Sequence, residues 1–164
     1  IILMALQRES YSFTRISLYD IRTDPEAVAR RHWTRTVWDF ESTDYEIVTG
    51  VGVIDELQRG SYPYQAEKLA LLSGLQILPV SNEIIEIVEV YINHKVMPAE
   101  PTGDALHLAT ASYYKIDILL TWNCKQIANV KKLDHIRRVN ANLGLTTPLL
   151  FTPLNLIGED YDGH

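Results

Sequence analysis

Cysteine is nearly missing from this chain: Cys124 is the single one in 164 residues. No internal disulfide can form, and no cysteine cluster can hold a zinc ion. A reducing cytoplasm suits such a composition, and a cytoplasmic protein is expected. Long hydrophobic runs are missing too, so no membrane-spanning segment is expected. The apolar opening at residues 1–6 has no basic flank before it and no small-residue cleavage site after it, so it is not read as a secretory signal. Basic excess is absent: the formal net charge is −6. That excludes nonspecific attraction of nucleic acid to the whole surface, but not a local site at which a metal recruits phosphate. No glycine-rich phosphate loop is present, which argues against a P-loop or dinucleotide enzyme. Repeats, linkers and low-complexity segments are also lacking.

What remains is ordinary for a globular chain. Hydrophobic residues make up 46% and charged residues 22%, enough to build a core in one domain. That domain is expected over residues 1–157, with residues 158–164 (GEDYDGH) as an acidic, frayed tail. The basic residues cluster: five of the fifteen are Lys125, Lys131, Lys132, Arg137 and Arg138, and four more are Arg22, Arg30, Arg31 and Arg35. Each cluster reads equally well as a solvated helix face or as a phosphate-contacting one.

In chain order, residues 1–6 suit a first strand. Asp24, Pro25 and Glu26 form a helix start, and Trp33, Val37 and Phe40 mark one buried face of a helix over 25–40. The β-branched stretch 45–54 predicts a strand and its exit turn, followed by a short helix at 55–59 that Gly60 stops. A helix over 64–73 ends at Gly74, and a strand covers 76–80. Ser81 caps a helix to about residue 95, with Ile84, Val88, Tyr91 and Ile92 on its inner face. After a loop at 97–101, Thr102 or Gly103 opens a helix over 104–115 whose small residues allow close packing. The apolar run 117–121 reads as a strand buried on both faces. Helices at 124–130 and 133–142, the second ended by Gly144, precede a last strand at 149–152. This alternation implies βαβ units, an α/β fold and a mainly parallel sheet.

In such sheets, functional groups gather at the carboxyl ends of strands. Glu56 lies just past the strand at 45–54. Asp104 starts its helix, where the macrodipole favours a carboxylate. Asn123, beside Trp122, follows the strand at 117–121. Each of these residue types is more often structural than catalytic. Their convergence from remote segments on one crevice is what suggests a site. Oxygen donors of this kind suit Mg²⁺ or Mn²⁺ rather than Zn²⁺, and such an ion can bind phosphate and activate water.

The segments VIDELQRG, GDALHLATASYYKIDILLTWNCKQIAN and HIRRVNANLGL, with the helix RTDPEAVARRHWTR, resemble the PIN-domain family, and in particular its VapC-like toxin branch. The resemblance covers about residues 20–157. It implies a three-layer α/β/α sandwich with a mainly parallel central sheet, and metal-dependent cleavage of single-stranded RNA to a 3′-hydroxyl and a 5′-phosphate. The family places acids after the first strand, after the second, at a later helix start, and after the next strand. The second matches Glu56 and the third Asp104. The fourth falls on Asn123, whose amide oxygen can coordinate or hold water but brings no charge. Glu9, followed by Ser10, is the nearest match to the first, at a longer distance from Asp20 than the family's pattern.

The resemblance therefore implies a Mg²⁺- or Mn²⁺-dependent endoribonuclease, the toxin of a type II toxin–antitoxin pair, with Glu56, Asp104 and Glu9 as metal ligands and Asn123 in the catalytic set. RNA is the substrate and an antitoxin the protein partner; the aromatic content permits a homodimer. The alternative is a PIN-like domain that has lost catalysis and binds RNA or protein. Lys125, Arg137 and Arg138 are the candidates for RNA phosphates; at most one of the adjacent arginines can face the site. His107, one turn beyond Asp104, either faces the same pocket or is a buried, hydrogen-bonded histidine. Trp122 could stack on a base but more often packs. Cys124 has no base beside it and is not read as a nucleophile.

Overall fold

The computed structural model describes residues 4–7, 23, 25–40, 45–59, 65–97, 103–121 and 130–156. They form five strands: β1 (Met4–Gln7), β2 (Glu46–Gly50), β3 (Gln76–Leu78), β4 (Ile118–Leu120) and β5 (Leu149–Phe151). The helices are α1 (Pro25–Phe40), α2 (Val51–Arg59), α3 (Gln65–Leu72), α4 (Asn82–Asn93), α5 (Asp104–Tyr113), α6 (Val130–Leu143) and the short α7 (Pro153–Leu156). The chain is thus mixed α/β, with helices between most strands.

The strands join in the order β3-β2-β1-β4-β5. The outer pairs are parallel, with Thr49 opposite Ile77 in β2/β3 and Leu119 opposite Leu150 in β4/β5. The central strand β1 runs antiparallel to both neighbours, placing Ala5 opposite Val48 on one side and Leu119 on the other. Four strands therefore share one direction and β1 alone is reversed. Hydrophobic patterning cannot reveal this sense, because a strand's apolar pattern reads identically in either direction.

Within the described residues, the expected helices and strands are found with shifted ends; the helix expected at 124–130 falls on residues outside them. The strand expected over 45–54 stops at Gly50, and α2 starts at once at Val51, so Glu56 sits in the second turn of a helix rather than at a strand end. The inner face of α4 is Ile84, Ile87, Val88 and Tyr91; Ile92 is only half-buried. On α1, Trp33 is half-buried and Thr34 fully so, its hydroxyl donating to the Arg30 carbonyl at 2.7 Å. The side chains of Val37 and Phe40, the segment 122–129 and the tail 158–164 lie outside the described residues.

Three helices close in the same way. After α4, α5 and α6 the chain takes a left-handed residue: Lys95 (φ 54°), Lys115 (φ 56°) and Gly144 (φ 70°). The next amide reaches back five residues in each case: Val96 to the Tyr91 carbonyl, Ile116 to Ala111 and Leu145 to Asn140. These bonds satisfy carbonyls the helix would otherwise leave open, and burial of Val96 and Ile116 seals the turn. Two of the three positions are lysine, which pays a backbone cost that glycine avoids.

The core centres on α5, where every residue from Asp104 to Ser112 is buried. Ala105, Ala109 and Ala111 let α4 and the sheet approach closely, and Leu108, Leu119 and Leu120 fill the interior. Beside them lies a buried polar knot. The Tyr91 hydroxyl is 2.5 Å from Asn140 Oδ1 and 3.2 Å from Ser112 Oγ. The Asn140 amide donates to Ser112 Oγ, the Thr146 carbonyl and Thr147 Oγ1, each at 3.0 Å. One asparagine thus links α4, α5, α6 and the loop before β5. A knot this enclosed is stable only when all its members are paired.

Two outcomes follow from that knot. Asn140→Ala removes the knot's bonds to Tyr91, Ser112, Thr146 and Thr147, leaving Tyr91 and Ser112 only each other, and should lower unfolding free energy by about 2–4 kcal/mol, read from urea denaturation. Burial also raises the Tyr91 phenol above its ordinary value of 10.0, opposed by the bonds to Ser112 and Asn140. The folded protein then holds the phenolic proton more tightly than the unfolded chain, so stability is lost as pH rises above about 10. Tyr91→Phe should lose less stability than the native protein across that alkaline range.

Candidate functional site

Two helices build the site. The first, α2, leaves the end of β2 directly, and its Gly52 faces α5. A Cβ at Gly52 would lie 2.9 Å from Leu106 Cδ2 and 3.3 Å from His107 Cε1. Glycine there lets the two helices come within reach of each other. One turn further along α2, Glu56 Oε1 lies 3.1 Å from His107 Nε2. A carboxylate oxygen can only accept, so His107 carries its hydrogen on Nε2. The histidine side chain is 2% exposed and the glutamate 29%, so the pair spans from the core to the surface. Of the two sequence readings of His107, the structure shows the buried, hydrogen-bonded one, with Glu56 as its partner.

Asp104 opens α5 after Gly103, whose carbonyl accepts from the Leu106 and His107 amides. It is 8% exposed and sits in the first turn, where the helix dipole favours its charge. Asp104 and His107 are three residues apart on one helix, so the histidine carries Glu56 to the helix that Asp104 begins. A carboxylate this buried needs opposite charge nearby. Lys132, in the first turn of α6, supplies some of it. Burial lowers the Lys132 ammonium below the usual lysine range, while the Asp104 carboxylate pulls it back up. Lys132 is the basic residue of the α6 cluster that sequence reasoning did not single out.

The other candidates fare differently. Arg137 is exposed and reaches Asp134 Oδ1 at 3.3 Å; Arg138, also exposed, donates from Nε to the Asp134 carbonyl at 3.3 Å. Both are engaged on their own helix, as on a solvated face. Glu9, Asn123, Lys125, Trp122 and Cys124 lie outside the described residues. The residue that ends the first strand, Gln7, pairs with Glu46, the first residue of β2. That strand end therefore falls on the rim opposite the one where β2 and β4 finish.

The donor chemistry suits a hard dication: both Glu56 and Asp104 offer carboxylate oxygens. Among the described residues, no group of three or more His, Cys, Asp or Glu side chains is placed to hold a metal ion. Among them, too, no helix is long and apolar enough to cross a membrane. Comparison with protein-family models, with curated proteins and with solved structures gives no match.

The close approach at Gly52 is directly testable. Gly52→Val places a branched side chain against Leu106 and the His107 ring, and overpacking of this kind should cost about 1–3 kcal/mol of stability in denaturant titrations.

Proposed function

We propose that this chain is a PIN-like, metal-dependent single-strand endoribonuclease, the toxin of a type II toxin–antitoxin pair, folded as a three-layer α/β/α sandwich. The observation that carries the reading is the 3.1 Å contact between Glu56 and His107, which brings an acid from α2 to the helix that Asp104 opens. Two carboxylates more than forty residues apart in sequence are thereby attached to one element. The motif segments around them supply the link to RNA.

Glu56 and Asp104 would hold Mg²⁺ or Mn²⁺, with Asn123 as a further oxygen donor. When bound, such an ion supplies positive charge to a phosphodiester and makes water a better nucleophile. The first turn of α5 is where a helix dipole favours a carboxylate such as that of Asp104. His107 fixes one oxygen of Glu56. Lys132, near Asp104, puts a cation where a phosphate would approach; Lys125 and one of Arg137 and Arg138 would serve the flanking phosphates. Water attacks phosphorus, the bond to the 3′-oxygen breaks, and that oxygen takes a proton. A 3′-hydroxyl and a 5′-phosphate result.

A second reading is favoured by one observation: the reversed sense of β1. In it the domain binds RNA or a protein partner without cutting. One experiment separates the readings. Purified protein is incubated with single-stranded RNA and Mn²⁺, beside Asp104→Ala and Glu56→Ala. The nuclease reading expects cleavage by the native protein and its loss in both variants. RNA that is bound but uncut at millimolar Mn²⁺ establishes the binding module instead.

A further inference from the structure

Two helices of opposite charge meet in this molecule. The acidic one is α4, which has glutamates and no basic residue. Glu83, Glu86 and Glu89 recur at every third position and all are exposed. None of them forms an ion pair with a described residue. Like charges one turn apart repel, so this row costs the free helix stability. Ile85 lies exposed beside it. The basic helix is α6, where Lys131, Lys132, Arg137 and Arg138 stand against Asp134 alone. Arg137 and Arg138 are exposed, and so is Leu143 at the helix end. Both arginines reach Asp134 of their own helix through exposed contacts, which cost little to exchange.

Contacts between the two helices fix their relative direction. Tyr91 meets Asn140; three residues further along α4, the His94 carbonyl accepts from His135 Nε2 at 2.7 Å. As α4 advances, its partners on α6 step back, so the helices run antiparallel where they meet. Each buries one face, Ile84 and Val88 on α4, Ile136 and Val139 on α6, and turns its charged face away from the core. From this arrangement we infer that two copies of the chain pair about a two-fold axis, α4 of each lying on α6 of the other. Rotation about an axis parallel to the two helices and midway between them sets each acidic row on a basic one, in both directions at once. A face made of an acidic helix beside a basic helix is its own complement. A merely basic partner would answer α4 and leave α6 unanswered. Single exposed ion pairs are weak, but each seam occurs twice, and the charges set approach and register. Ile85 and Leu143 add apolar surface to the same face. The inference goes beyond the nuclease reading and needs neither metal nor RNA.

The test is sedimentation velocity over a concentration series, at ~0.05 M and ~0.5 M salt, a change that shortens the screening length about threefold. Two variants accompany the native protein: Glu86→Lys with Glu89→Lys, and Arg137→Glu with Arg138→Glu. Circular dichroism melts check their folding, and the single changes Glu86→Lys and Arg137→Glu replace a double variant that fails to fold. The native protein should form a two-chain species whose dissociation constant rises on the order of 10-fold or more at the higher salt. Each variant alone brings like charges together at both seams and should be monomeric. Mixed in equal amounts, the two variants should form a two-chain complex, with lysine on glutamate at one seam and the native charges at the other. A native protein that stays monomeric throughout at low salt overturns the inference and leaves the acidic row to a different basic partner. A native dimer that the variants leave intact also overturns it, as do variants that stay monomeric when mixed. Growth beyond two chains replaces the closed pair with an open head-to-tail contact and overturns the two-fold arrangement.

Discussion

Enclosure of α5 is the constraint from which the rest of the molecule follows. A helix buried along nine successive residues cannot hide its polar groups on a wet face, because it has none there. Each must be answered by a neighbour or excluded. Ser112 is answered by Tyr91 and Asn140, His107 by Glu56, and Thr110 by the backbone of its own helix. The alanines between them keep the helix slim enough for α4 and α2 to supply those answers. Packing and polar pairing are thus one requirement met at both ends of the same element.

The two ends differ in kind. Toward its C-terminus, the polar groups close on one another and on the loop before β5, giving a knot sealed from water. Toward its N-terminus, the pairing runs outward: His107 is deep, Glu56 is half-buried, and Asp104 and Lys132 set opposite charges near each other. A sealed network fixes a fold. A network that opens to solvent leaves carboxylate oxygens within reach of a ligand, and that asymmetry separates the structural polar groups of this chain from the candidate functional ones.

Much of this was legible in the residues. Asp-Pro-Glu at 24–26 marked the start of α1, and the spacing of Ile84, Val88 and Tyr91 marked the inner face of α4. The all-apolar run at 118–120 is buried at every position. Asp104 at a helix start and Glu56 after β2 were legible as acids from remote segments. Other features were not. The early start of α2 at Val51 was hidden because valine and isoleucine suit a strand as well as a buried helix turn. Lys132 looked like any lysine of a basic run until tertiary packing drew one of them inward. Gly52 read as part of a strand, although what leaves no room for a side chain there is Leu106, fifty-four positions away, with the His107 ring next nearest. The Tyr91–Asn140 pairing joins residues with no periodic relation, so no local pattern announces it.

The direction of β1 has a consequence for how such a crevice can be furnished. A strand threaded upside down between two upright neighbours delivers its tail to the floor of the sheet and its head to the roof. At the roof, Met4 stands level with Leu120, beside the exits of the flanking strands. Met4 thus borders that roof, and Gln7 borders the floor beside the entrance of β2.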